Sequence, residues 1–172
     1  MTISKRTGIS WTNSPFVNQL ILLSSSGFGL GRVPYLPGTV GSLLGLFLAW
    51  GTSGLSAWLQ IVLFVLFALA AIGISERAEQ LSKTQDPDFI VIDEMVGMWV
   101  TMLFLWRFDT TALILGFLLF RLFDVLKFFP LNLFEGFRGG LGIVMDDLAA
   151  GMLANVVLRL LLLSGIALAG VG

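Results

Sequence analysis

The sequence predicts an all-α fold, a helical bundle set in a membrane and formed as one domain over residues 1–172, and three observations carry that prediction. Of the 172 residues, 56% are hydrophobic and 12% charged, too few charges to cover a soluble globule of this size. The apolar residues gather into five long runs. No Pro/Ser-rich tract, charge block or fixed-period repeat separates those runs into domains.

Each element has its own signal. Phe16 to Leu23 reads as a short interfacial helix, with Phe16, Leu20 and Leu23 on one face. Val40 to Trp50 is short and glycine-bearing, which suits a half-length or tilted helix. Its Gly41 and Gly45, four apart, would admit a neighbouring helix. Leu55 to Ile74 and Leu148 to Ala169 meet without ambiguity the roughly 20 apolar residues that a spanning helix needs. Ile90 to Trp106 and Thr110 to Leu126 complete about five hydrophobic helices, each with charges at one end. Gly51 to Gly54 and Arg107 to Asp109 are short turns, whereas Ser75 to Phe89 and Phe128 to Gly142 are long polar connections that belong on the opposite side.

Basic residues near span ends are retained in the cytoplasm. With the N-terminus inside, Lys5, Arg6, Arg32, Arg77, Lys83, Arg121, Lys127 and Arg138 are cytoplasmic, and Arg107 is the clear outside base. Arg159, within the fifth run, either snorkels or faces the bundle interior. Met1 to Trp11 is polar and precedes no apolar core with a cleavage site, so no removable signal peptide is expected.

Composition also excludes chemistry. There is no cysteine and no histidine, hence no thiolate nucleophile, imidazole base, phosphohistidine or His-ligated zinc. The formal net charge of −1 and the scattered bases argue against nucleic acid as a partner. No protein partner is indicated; the lipid bilayer is the expected environment.

Three acidic clusters converge on the cytoplasmic face: Asp93-Glu94 near the start of the third run, Asp124 near the end of the fourth, and Asp146-Asp147 at the start of the fifth. An Asp at a membrane helix centre costs on the order of 2.5 to 3.5 kcal/mol, so five such acids call for a cation. Oxygen-rich clusters suit Mg²⁺. Sequential acids point about 100° apart on a helix, so at most one of each pair faces a given point straight on. Arg121, Asp124 and Lys127, spaced three apart, share a helix face, either as an ion-pair ladder or as a metal carboxylate flanked by two phosphate-binding cations.

Two glycine-rich segments accompany the acids. Gly27 to Ser42, GFGLGRVPYLPGTVGS, allows close approach of backbone N–H groups to an anion, with Thr39 or Ser42 able to cap a helix whose N-terminus favours phosphate. It is not a P-loop, and a sharp turn into a membrane helix explains its pattern as well. Glu135 to Gly142 leads into Asp146-Asp147. Asp86-Pro87-Asp88 imitates a phosphatase nucleophile motif but lacks the preceding buried strand, so it reads as a loop bordering the site at most.

These residues resemble the phosphatidylglycerophosphatase A family: GFGLGRVPYLPGTVGS, DPDFIVIDEMVGMW, RLFDVLKFFPLNLFEGFRGGLGIVMDD and the following AAG stand in that family's order and spacing, from Gly27 to Gly151. One departure is visible, since Lys127 is followed by Phe128 where the family often has proline. The resemblance implies a Mg²⁺-dependent hydrolase in the bacterial inner membrane that converts phosphatidylglycerophosphate to phosphatidylglycerol and inorganic phosphate. It also implies an all-helical fold with one central helix surrounded by others, for which the third run is the candidate.

Without Cys or His, phosphomonoester hydrolysis leaves an aspartyl-phosphate or metal-activated water, and the second is favoured. The expected catalytic and metal-ligating residues are Asp93, Glu94, Asp124, Asp146 and Asp147, with Glu94 as ligand or base. Arg32, Arg121, Lys127 and Arg138 would hold phosphate, with Thr39 and Ser42 as lesser donors. A small cation transporter or channel using the same acids is the rival, but it predicts charges threaded through the membrane depth rather than gathered at one face.

Overall fold

The computed structural model describes residues 15–33, 36–105, 108–126 and 139–165. Among these the chain forms six α-helices and no strand: α1 (Phe16–Ser25), α2 (Pro37–Thr52), α3 (Ala57–Ser82), α4 (Ile92–Met102), α5 (Thr110–Leu126) and α6 (Gly139–Leu163), with a 3₁₀ turn at Leu30–Arg32.

Local chemistry sets the ends. Pro37 opens α2, where its missing N–H is not needed. The Ser56 hydroxyl accepts from the Leu59 N–H to cap α3, and an Asp109 carboxylate oxygen accepts from the Ala112 N–H at the start of α5. The short turn expected at Gly51 to Gly54 falls slightly later, since α2 runs through Gly51 and Thr52 and Ser53 to Ser56 separate it from α3.

Two helices are long and apolar enough to cross a membrane, α3 with 26 residues and α6 with 25; at 1.5 Å per residue they extend about 39 and about 37 Å. They correspond to the two unambiguous runs. Helices form at all five runs, but the other three fall short of a membrane span: α2 has 16 residues, α4 has 11 and α5 has 17. At about 16 Å, α4 is half the thickness of a hydrocarbon core. It forms protein core instead: every residue from Ile92 to Met102 is buried except the half-buried Glu94. Helices α2, α3, α5 and α6 all pack on it, so the third run is the central helix.

Small residues allow this close packing. A Cβ at Gly41 would lie 2.7 Å from the Val91 carbonyl oxygen, and one at Gly97 would lie 2.6 Å from the Asp147 carbonyl oxygen. The glycine pair of the first run thus meets α4 itself. Two boundaries also move. Helix α3 continues through the polar segment that reads as connection, to Ser82, supported by Gln80, which bonds both Glu76 and Arg77. Helix α6 begins at Gly139, nine residues ahead of its apolar run, so Asp146 and Asp147 lie two turns inside it rather than at its start.

Candidate active site

The third and first turns of different helices bring the acids together. Asp93 and Glu94 occupy the first turn of α4, where the positive end of the helix dipole favours carboxylates, and Asp147 projects from α6 across the close approach at Gly97. One oxygen from each of Asp93, Glu94 and Asp147 lies within 4.8 Å of the other two. Asp93 and Asp147 are 8% and 5% exposed, so these charges repel one another with little water between them. Asp93 Oδ1 and Glu94 Oε2 are buried without a hydrogen-bond partner among the described residues. Buried oxygens in that state are rare and call for an explanation, of which a bound ion is one.

Although sequential residues point about 100° apart on a helix, Asp93 and Glu94 each contribute an oxygen to the cluster. The longer Glu94 side chain also extends over α2. A Cβ at Gly38 would lie 2.6 Å from Glu94 Oε1 and 2.8 Å from Arg121 Nη1, so both side chains crowd over the bare backbone of α2. Arg121 donates to Asp124 Oδ2 at 2.7 Å. Asp124 is therefore an ion-pair partner of Arg121 and stands outside the trio of acids. Asp146 is half-buried on the neighbouring face of α6.

The other expected residues divide. Arg32 lies in the 3₁₀ turn, half-buried, and its desolvation lowers the guanidinium pKa from the ordinary value without removing its charge. Thr39 stands half-buried in the first turn of α2. Ser42 is fully buried and donates its hydroxyl to the Gly38 carbonyl at 2.8 Å, which commits it to its own helix rather than to a ligand. Lys127 and Arg138 lie outside the described residues. Asp86 and Asp88 are exposed in the loop before α4. Asp86 has a left-handed backbone (φ 43) and accepts no place in a strand, and its N–H donates to Glu79 Oε1 at 3.2 Å.

Sequence reasoning missed two supports. Glu76 Oε2 accepts from the Gly140 N–H at 2.7 Å, tying the end of α3 to the start of α6. Gly140 lies against the Ile72 carbonyl and the Glu76 backbone and has no room for a side chain. At the far end of α4, Asn155 donates to the Val100, Thr101 and Leu103 carbonyls at 3.2, 2.8 and 3.0 Å. Arg159 donates to Leu103 and Phe104 at 2.9 and 2.7 Å and to Asn155 Oδ1 at 2.7 Å. Arg159 therefore faces the bundle. Its spacing of four from Asn155 on one helix was the available signal.

A family model described as phosphatidylglycerophosphatase A matches residues 23–162. A protein of Bacteroides thetaiotaomicron, provisionally named a phosphatidylinositol-3-phosphatase, is 36% identical over 81% of this chain and 91% of its own length. Phosphatidylglycerophosphatase A of Escherichia coli is 33% identical over 79% of this chain and 80% of its own, and that of Haemophilus influenzae 34% over 80% and 85%. No solved structure is significantly similar. The matched region contains all five acids, both ends of α4 and the glycine-rich turn, and on that basis the chain belongs to the phosphatidylglycerophosphatase A family of enzymes.

Proposed function

We propose that this protein hydrolyses phosphatidylglycerophosphate to phosphatidylglycerol and inorganic phosphate with the help of Mg²⁺, at the cytoplasmic face of a bacterial inner membrane. The observation that carries the proposal is the buried trio Asp93, Glu94 and Asp147, found in a chain of this family. The donors fit Mg²⁺: all are carboxylates, two of their oxygens are buried without partners among the described residues, and there is no Cys or His to favour a softer ion. When bound, such an ion neutralises phosphate charge and makes water a better nucleophile at neutral pH.

The protein's own groups do the rest. Arg121, steadied by Asp124, holds phosphate oxygens by paired N–H donors, and Arg32, Lys127 and Arg138 add positive charge around the headgroup. Thr39, in the first turn of α2, is a secondary donor. Glu94 belongs to the acid trio and lies, like Arg121, against Gly38, so it takes a proton from the attacking water as the P–O ester bond breaks. The leaving glycerol oxygen gains a proton from solvent. Asp146 supports the trio from the adjacent face. Inward-facing bases near the span ends support the cytoplasmic assignment, and α3 and α6 supply the anchorage.

The channel alternative finds no support, because the side chains from Met95 to Met102 along the centre of the molecule are buried and mostly apolar. The test is phosphate release by the purified protein in mixed micelles, with and without Mg²⁺, from phosphatidylglycerophosphate and, as comparator, phosphatidylinositol 3-phosphate. Mg²⁺-dependent release favouring the first is expected. Preference for the second would replace the substrate, and release from neither would sink the proposal.

A further inference from the structure

The turn between α1 and α2 has exposed residues that this chemistry does not use. Gly27, Phe28 and Gly29 take successive left-handed conformations, with φ of 54°, 60° and 88°. Glycine adopts these freely, whereas a bulky side chain does so against steric strain. Backbone bonds hold the strained turn: Phe28 N–H to the Leu23 carbonyl and Gly31 N–H to the Ser26 carbonyl, both 2.8 Å, and Gly29 N–H to Ser26 Oγ at 3.1 Å. The result is a phenylalanine ring 76% exposed. Leu30 and Val33, on either side of Arg32, are exposed as well. The inner side of the same turn lies on the approach to the acids, with Gly31 against the Phe89 carbonyl and Val91, and Gly27 against Val91 and Met95.

We propose that Phe28, with Leu30 and Val33, is a finger that dips into the bilayer beside the acid cluster and meets the acyl chains of the phospholipid substrate, with Arg32 at headgroup level. The proposal rests on the lipid-phosphatase reading. Two observations commit it to lipid. Apolar tips and a cation alternate within six residues, matching the two halves of an anionic amphiphile. The apolar exposure also continues down one face of α2 through Leu43, Phe47 and Trp50, spaced four and three apart, as on a helix whose outer face meets hydrocarbon. A finger of this kind draws the lipid in sideways, so its phosphate reaches Arg121 and the trio without the chains leaving the membrane.

The absence of cysteine allows a direct test. Phe28→Cys, labelled with an environment-sensitive fluorophore in phosphatidylglycerol-containing vesicles, is expected to be quenched by acyl-chain-brominated lipid and shielded from aqueous iodide. The reverse pattern would overturn the proposal, as would quenching that requires a second labelled copy, the sign of a protein interface. In parallel, Phe28→Gly relieves the backbone and deletes the ring. It is expected to lower the ratio of kcat/KM for long-chain substrate in vesicles to that for a dispersed short-chain analogue by about tenfold, the scale of withdrawing one large apolar side chain, with Phe28→Leu restoring most of it. An unchanged ratio would count against the finger. Wild-type protein that hydrolyses neither substrate sinks the phosphatase reading alone, since the quenching result stands independently.

Discussion

Asp93 sits in the second position of a buried helix, and its value to the site is its charge. Asp93→Asn keeps the volume and removes the charge. Phosphate release should fall by more than about a hundredfold, beyond what changes to residues supporting a metal site usually cause. Retained activity with an unaltered Mg²⁺ response would remove Asp93 from the site. Gly38→Ala tests the geometry: the new methyl would lie 2.6 Å from Glu94 Oε1 and 2.8 Å from Arg121 Nη1. Displacing those groups by about 1 Å should lower kcat/KM by about 10²-fold while thermal stability changes little. The acids were legible in the sequence because a carboxylate within an apolar run has few reasons to be there. Their partners were not. Whether Asp124 joins the trio or holds Arg121 depends on side-chain packing, and the role of Gly38 exists only because Glu94 and Arg121 arrive over it from two other helices.

At the scale of elements, α4 is set by what holds its ends. The apolar run continues past Met102, so composition alone extends the helix to Trp106; it stops because Asn155 and Arg159, more than fifty residues away, take up its last carbonyls. A cation at a helix C-terminus is also favoured by the dipole. Replacing Asn155 with the similarly sized Leu leaves the carbonyl of buried Thr101 without that donor, while Leu103 keeps Arg159 and Val100 keeps the Leu103 N–H, at a cost of about 1–3 kcal/mol. A lowered thermal midpoint in detergent, with kcat retained below it, is the expected outcome. An unchanged midpoint would show that water replaces the amide. The long helices α3 and α6 were legible from apolar length, but their polar ends were not: Glu76 reads as surface charge until Gly140 is placed beside it.

At the scale of the whole molecule, metal binding and folding should be linked. On the proposed reading, Mg²⁺ bound to the folded trio would stabilise it by mass action, about 2.7 kcal/mol at a concentration one hundred times Kd. Chelation should therefore abolish phosphate release and lower the thermal midpoint together, and added Mg²⁺ should restore both. Asp147→Asn should keep its fold but lose the Mg²⁺-dependent rise in midpoint. A rise of wild-type size in that variant would remove Asp147 from the ligand set.

The clamp formed by Asn155 and Arg159 has a consequence for traffic. It closes one end of the central helix with fixed hydrogen bonds, and the side chains from Met95 to Met102 between it and the acids are buried. On that side the carboxylates therefore face buried, mostly apolar side chains. On the proposed lipid-phosphatase reading, substrate would arrive and both products would depart on the side of the acids, which returns the lipid product to the leaflet that supplied it.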